Sequence, residues 1–394
     1  MRLGIDATPA LRQYAGVGRF ARGVLSGLAG LDHRNSYTLI ATGKARFATE
    51  DTVVPDGSRW VRLPISERLA TIGWQRLRAW PPPTLFARDL SLYFTPDYAL
   101  PPLGGVRGIL TVHDLSFLTH PECAEEALRR YLSTVVPRSV RAAAAVIAVT
   151  ETTAAAVRAQ LPGGPPIHVV PNGVDPAFHG VRAIDRDAAE AALLSRFGLG
   201  SGYLLAVSTL EPRKNYVRLL QAFALARGRI ARAARSGGGD AERQGEPVQL
   251  VIAGREGWLY EPIFREYARL GLRGSVRFIS RFDDRDLLLL LLRGARAFIY
   301  PSLYEGFGIP PLEAMAAGVP VAASTGGAIP EVLGDAALLF DPLDVEAMAG
   351  AIERVLLDTE LRDELVRRGT ARAATYTWEA SAMALLRVFE TVAA

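Results

Sequence analysis

One cysteine in 394 residues, Cys123, excludes an internal disulfide and leaves no cysteine-based zinc site. Histidine is also scarce, at five, and of 45 basic residues only Lys44 and Lys214 are lysines, so a lysine here stands out against an arginine background. Arg, Gly or Pro interrupts every apolar run well before the roughly 20 residues a membrane span needs. The opening MRLGIDATPALRQ lacks the charged-then-apolar layout of a signal peptide. A soluble, cytoplasmic chain in a reducing compartment is expected. The 37 Gly and 25 Pro fall between apolar runs without a period, which excludes collagen-like, low-complexity and long disordered chains. No repeat of solenoid period is visible. The net charge of +4 arises entirely in residues 1–190, which hold 21 basic and 17 acidic side chains. So weak an excess argues against a nucleic-acid binder and allows contact with an anionic membrane surface.

At 49% hydrophobic and 22% charged residues, a chain of this length holds more than one minimal core, and two domains are expected. Short β-rich apolar runs alternate with longer Ala, Leu and Arg stretches of helical spacing, the pattern of parallel sheets with crossover helices. The class is therefore α/β. In the first half the pattern predicts strands at 3–6, 37–41, 90–94, 108–112, 145–149 and 168–170, with helices near 17–30, 123–141 and 151–160. In the second half it predicts strands at 203–207, 249–253, 276–279, 297–300, 320–322 and 337–339. Two Rossmann-like units follow, with the boundary after the Pro- and Gly-punctuated PNGVDPAFHG at 171–180. Residues 235–247, rich in Gly and charge, read as a solvated loop without chemistry.

Open α/β sheets bind ligands beyond the carboxyl ends of their strands. Five loops there stand out. The first strand leads to Gly16-Val17-Gly18-Arg19 before a helix, where two glycines permit close backbone approach and the helix start presents N–H groups to a phosphate. A plain tight turn is the equal alternative. Ala21 fills the third glycine position of a dinucleotide fingerprint, so a nicotinamide enzyme is disfavoured. The second loop is Thr111-Val112-His113-Asp114, an apolar strand ending in a histidine able to donate to a substrate hydroxyl or pyrophosphate and an acid able to orient a neighbour. A satisfied structural histidine is the bland reading.

The third loop, Thr209-Leu210-Glu211-Pro212-Arg213-Lys214-Asn215, enters a helix. Two cations at a helix start oppose its macrodipole, so a bound anion explains them better than solvent does. The fourth, Pro301-Ser302-Leu303-Tyr304-Glu305-Gly306-Phe307-Gly308-Ile309-Pro310-Pro311-Leu312-Glu313, joins a Gly-bearing loop to a helix opened by two prolines, with Glu313 expected in its first turn. Across such a turn both carboxylates can face one pocket and accept hydrogen bonds from sugar and ribose hydroxyls. The fifth, Ser324-Thr325-Gly326-Gly327-Ala328-Ile329-Pro330-Glu331, either lines the same pocket or is a tight connection. The Asp-x-Asp of Asp283-Asp284-Arg285-Asp286 reads as the start of a buried helix ahead of six leucines, not as a metal site.

Assembled in this order, the chain resembles the family-4 retaining glycosyltransferases of GT-B fold. The specific match is Glu305 to Glu313, the family's Glu-x7-Glu, inside YPSLYEGFGIPPLEAMAAGVPV; GIDATPALRQYAGVGRF, TVHDLSFLTHPE, VVPNGVDPAF, VSTLEPRKN and TYTWEASAMALL match other family segments. The resemblance implies two Rossmann domains facing across a cleft. Residues 1–185, completed by a C-terminal helix over 377–394, would hold the acceptor, and residues 195–376 a nucleotide-sugar donor. It also implies that Arg213 and Lys214 neutralise the donor diphosphate and that the amides of Gly306, Phe307 and Gly308 hold phosphate and sugar oxygens. Ser208 and Ile309 would border that site. Glu313 would bind the ribose, Glu305 the donor sugar, Gly16 and Gly18 the phosphate, and His113 the sugar near the reaction centre, with Asp114 and Arg12 toward the acceptor.

One departure is that many members place an Arg near Ser208, so Arg213 must supply the second positive charge. No cofactor or metal is implied, the nucleotide sugar being a substrate. Members with these motifs resemble mannosyl- or rhamnosyltransferases of bacterial surface-polysaccharide assembly, which favours GDP-mannose or a related donor and a saccharide or lipid-linked acceptor. Residues 66–80, with Trp74, Leu77 and Trp80 among arginines, are either an interfacial helix for the inner membrane or an ordinary amphipathic core helix. A GT-B phosphorylase, a nucleotide-sugar epimerase and a noncatalytic nucleotide-sugar-binding protein remain as alternatives.

Overall fold

The computed structural model describes residues 1–13, 16–43, 52–77, 81–87, 89–236, 248–280 and 285–394. These divide into two compact units, Met1–Thr119 with Glu126–Gly173 and Tyr376–Ala394, and His120–Glu125 with Val174–Thr375. Each is built on one parallel sheet.

In the first unit the strands are β1 (Arg2–Asp6), β2 (Ser36–Thr42), β3 (Arg59–Leu63), β4 (Leu92–Thr95), β5 (Arg107–Val112), β6 (Ala145–Ala148) and β7 (Ile167–Val169), in the order β3-β2-β1-β4-β5-β6-β7. Burial on both faces explains the near-continuous apolar runs of the inner strands. β3 escapes the sequence reading for the opposite reason. As the outer strand it pairs only with β2, and RWVRL buries Val61 and Leu63 while Arg59 and Arg62 face solvent. The C-terminal helix Trp378–Ala393 packs on the helix Gly16–Leu31, where any side chain at Gly23 would sit 2.1 Å from the Trp378 ring and one at Gly27 2.3 Å from the Trp378 carbonyl.

The second unit has β8 (Tyr203–Val207), β9 (Leu250–Ala253), β10 (Val276–Ile279), β11 (Ala295–Tyr300), β12 (Val321–Ser324) and β13 (Leu338–Phe340), in the order β10-β9-β8-β11-β12-β13. Strand order runs outward from β8 in one direction and from β11 in the other. The crevice beyond the carboxyl ends of β8 and β11 is thus a topological switch point, where open α/β sheets bind ligands. The loops carrying Arg213-Lys214 and Glu305 leave these two strands. The corresponding point in the first unit lies between β1 and β4.

The stretch at 66–80 is no continuous amphipathic helix. It is one α-turn, Glu67–Ala70, followed by a π-helix, Thr71–Leu77. Trp74 packs against the cluster of Ile40, Val61 and Leu63, while Leu69 and Leu77 are exposed. Arg78 and Trp80 lie outside the described residues, as do 237–247 of the expected solvated loop and Asp283 and Asp284 of the Asp-x-Asp. Asp286 stands in the first turn of the helix Arg285–Gly294, whose Leu287, Leu288, Leu291 and Leu292 are buried. No described helix is long and apolar enough to cross a membrane.

Candidate active site

β8 ends at Val207, and Ser208 continues it by donating its N–H to the Ala253 carbonyl at 3.1 Å. The Ser208 hydroxyl is 2.6 Å from that of Tyr216. The chain then makes a single 3-10 turn, Pro212–Lys214, and leaves it through Asn215 at φ 59°, a left-handed conformation that Asn tolerates better than most residues. The Asn215 amide nitrogen donates to the carbonyls of Pro301 at 3.0 Å and Pro342 at 2.7 Å, and the Leu303 N–H donates to the Arg213 carbonyl at 2.8 Å. The β8 and β11 loops are therefore bonded together through their backbones before any charged side chain meets.

The charged side chains meet at Glu305. Lys214 Nζ donates to Glu305 Oε1 at 2.6 Å, Tyr300 Oη donates to the same oxygen at 2.9 Å, and Arg213 Nη1 donates to Oε2 at 3.0 Å. Arg213 also donates to the Tyr304 carbonyl at 3.0 Å, and its Nη2 lies 3.1 Å from Glu211 Oε1. Glu211, Lys214 and Glu305 are all buried. The cations are therefore not a solvated helix start, and the anion they hold in this structure is a carboxylate of their own chain.

Burial by itself would raise the Glu305 carboxyl, but the charges of Lys214 and Arg213 outweigh it and hold the group at about 2. Burial and the Glu305 charge push the Tyr300 phenol well above its usual value, so it stays a hydrogen-bond donor. Glu211 and Glu305 thus meet Arg213 and Lys214 in one cluster.

The fifth sequence motif turns out to back this cluster. Gly327, at φ 65°, bridges to Glu305, and the Ala328 N–H donates to the Glu305 carbonyl at 2.8 Å. A Cβ at Gly327 would lie 2.4 Å from that carbonyl oxygen, and one at Gly326 2.4 Å from the Leu303 carbonyl. These glycines are small because the Glu305 loop lies against them.

Beyond Glu305, the residues Gly306, Phe307, Gly308 and Ile309 are buried, and Gly308 adopts φ 94° as N-cap of the helix Ile309–Ala316. Glu313 is buried in that helix but not in its first turn, which carries no acid. Hydrogen-bonded helix begins at Ile309, one residue ahead of the two prolines, so Glu313 is its fifth residue.

The other candidates stand in the first unit. Gly16 opens the helix Gly16–Leu31 with nothing within 4 Å of an added Cβ, whereas a Cβ at Gly18 would lie 1.6 Å from the Gln13 carbonyl oxygen. Packing alone thus requires glycine at 18. Arg12 ends the helix Thr8–Arg12, with its guanidinium against Gly43.

His113 follows β5, ring-edge against Phe20 at 5.2 Å and Tyr98 at 5.6 Å, with Nε2 2.8 Å from the Pro96 carbonyl. Burial lowers its pKa, so the ring is neutral at pH 7. A carbonyl only accepts, so Nε2 carries the proton and Nδ1 is the acceptor. The donor role expected of His113 is therefore corrected to that of an acceptor. Asp114 caps the helix Ser116–Thr119, accepting the Ser116 N–H at 2.8 Å.

Two members of the second-unit cluster escape the sequence reading. Tyr300 reads simply as the end of a strand, although a polar-tipped aromatic at the carboxyl end of a buried strand is a usable signal. Glu211 stands in a recognised motif without an assigned role, since nothing in the sequence shows that it meets Arg213.

A family model described as glycosyl transferases group 1 matches residues 195–372, and one described as glycosyltransferase family 4 matches residues 14–178. The O-antigen chain mannosyltransferase B of Escherichia coli is 33% identical over 290 residues, covering 73% of this chain and 71% of that protein. The serotype-specific mannosyltransferase WbdA of Escherichia coli is 30% identical over 187 residues, covering 48% of this chain and 21% of that protein. Among solved structures, the sucrose-phosphate synthase from Thermosynechococcus elongatus superposes with a TM-score of 0.70 at 19% identity, over 100% of this chain and 99% of that one. Anabaena Alr3699/HepE in complex with UDP and glucose gives a TM-score of 0.68 at 19% identity, over 99% of each. With two parallel-sheet, Rossmann-like units and these relatives, the chain belongs to the family-4 glycosyltransferases of GT-B fold.

Proposed function

We propose that this glycosyltransferase acts with retention, taking mannose or a related hexose from a GDP-linked donor to a saccharide or lipid-linked acceptor of bacterial surface polysaccharide. The observation that carries the donor site is the buried cluster of Arg213, Lys214 and Glu305 at the switch point between β8 and β11. The mannosyl donor rests on the two mannosyltransferase relatives.

In this reading the donor diphosphate takes over Arg213 and Lys214. Both are held by backbone and carboxylate contacts before substrate arrives, so little reorganisation is needed as negative charge grows on the leaving phosphate. These two cations offset that charge, and the reading calls for neither metal nor cofactor. Amides of Gly306, Phe307 and Gly308 contact phosphate and sugar oxygens, Gly16 is a further phosphate contact, and Ser208 and Ile309 border the nucleotide. Glu313 takes the ribose diol. Glu305, released from the cations, accepts a hydroxyl of the donor sugar.

His113 Nδ1 accepts a sugar hydroxyl near the reaction centre, and Arg12 and Asp114 face the acceptor. The acceptor attacks the anomeric carbon on the face from which the diphosphate leaves, and a leaving phosphate oxygen takes the acceptor proton. Exposed Leu69 and Leu77, next to Arg68 and Arg76 in sequence, and exposed Leu85 and Phe86 support peripheral contact with the cytoplasmic face of the inner membrane.

The test is a thermal-shift screen with GDP, UDP, ADP and dTDP, followed by mass spectrometry of transfer from GDP-mannose. A preference for GDP and a product with a new glycosidic bond is the expected outcome. A sugar phosphate formed with free phosphate, or a rearranged nucleotide sugar, would replace this reading with a phosphorylase or an epimerase.

A further inference from the structure

The Glu305 carboxylate receives donors from three places in the second unit. Lys214 Nζ and Tyr300 Oη both reach Oε1, at 2.6 and 2.9 Å, and Arg213 Nη1 reaches Oε2 at 3.0 Å. A carboxylate offers about four lone-pair positions, two on each oxygen. Among these three, two donors converge on Oε1 and one reaches Oε2.

The three donors differ in how firmly they are tied to this place. Lys214 and Arg213 are cations on a loop, and an entering diphosphate competes with Glu305 for both. Tyr300 is neutral and ends a strand paired on both sides. Its ring is buried and stacked at 6.2 Å on that of Phe298. Its single proton is directed at Oε1, and a phosphate exerts no net charge attraction on it.

We infer that Tyr300 is a positioning residue, the donor that holds Glu305 Oε1 in place when the two cations engage the diphosphate, so that Oε2 is the oxygen presented to the donor sugar. This rests on the assignment of Glu305 to the sugar. The consequence is a split in affinity. Tyr300 matters for the hexose part of a nucleotide sugar and not for the nucleoside diphosphate part.

Tyr300→Phe removes one oxygen and keeps the ring, and it is tested by calorimetric titration with GDP and GDP-mannose, or with the UDP, ADP or dTDP pair that the wild type binds best. The variant is expected to bind the nucleoside diphosphate within about twofold of wild type and the nucleotide sugar about tenfold more weakly, the order expected for a hydrogen bond to a charged group. Glu305→Gln should also lose sugar affinity, and adding Tyr300→Phe to it should cost almost nothing more, because the hydroxyl acts through the carboxylate. Equal losses for both ligands, unchanged nucleotide-sugar affinity, or additive effects in the double variant would overturn the role of Tyr300. A wild type that binds none of the nucleotide sugars would instead overturn the donor-site assignment, and this inference with it.

Discussion

Lys214 and Glu305 lie 91 positions apart in sequence, and their Nζ and Oε1 are 2.6 Å apart in the fold. One of the chain's two lysines has thus found a buried acid, so each becomes the other's neutralising partner until a competing anion arrives. Taking one member of a buried pair away costs far more than the pair contributes over an apolar substitute, because the survivor is left uncompensated.

Lys214→Ala should therefore weaken binding of the nucleotide donor by ten- to hundredfold, from the loss of a charge-assisted hydrogen bond of about 1.5–3 kcal/mol. Titration calorimetry checks the affinity and far-ultraviolet circular dichroism the fold. Glu313→Ala should weaken binding as well, and wild-type affinity in both variants would remove the donor site from this loop pair.

Glu305→Gln leaves Arg213 and Lys214 facing a neutral amide. The melting temperature should fall, and saturating GDP should raise it by more degrees in this variant than in wild type, since the nucleotide restores the missing negative charge. An equal shift in both proteins would mean that diphosphate and Glu305 do not share the same cations.

Acid should act on the same pair. The Glu305 carboxyl is held at about 2, below its ordinary 4.5, so its stabilising contribution is complete above 4.5 and is lost as pH falls toward 2. At about 1.4 kcal/mol per pH unit of displacement, that contribution is on the order of 3 kcal/mol. Urea unfolding of wild type and Glu305→Gln at pH 7, 4 and 3 should show a stability gap that narrows with acid. A constant gap would contradict the assignment.

Gly18→Ala and Gly16→Ala separate packing from ligand contact. An added methyl at 18 would lie 1.6 Å from the Gln13 carbonyl oxygen, so that variant should lose 2 kcal/mol or more, on the order of other overpacked sites. The space at 16 is open, and its variant should stay within about 0.5 kcal/mol of wild type. Loss of donor affinity at 16 without loss of stability would mark a ligand contact.

Much of this site was legible in one dimension. Lys214 was conspicuous against an arginine background, and the Gly308-Ile309-Pro310-Pro311 segment announced a helix start. The inner strands were legible because burial on both faces makes them apolar throughout, while the outer strand β3 carries arginines and is absent from the strands that the pattern predicts. Tyr300 was invisible as a site residue because its neighbours in sequence are apolar and its partner is chosen by how the β11 loop turns back. Gly327 was ambiguous for the same reason, since only the approach of Glu305 from 22 positions earlier explains it.

Alternating periodicity and turn chemistry are local properties, so the class of fold, the inner strands and the residue types at the carboxyl ends of β8 and β11 could be read from one dimension. Tertiary structure alone decided that Glu305 would neutralise Arg213 and Lys214, that His113 would offer an acceptor, and that Gly18 and Gly327 serve close packing. Each depends on which carbonyl, cation or ring arrives from elsewhere in the chain, and such distances are set only once the sheets have closed.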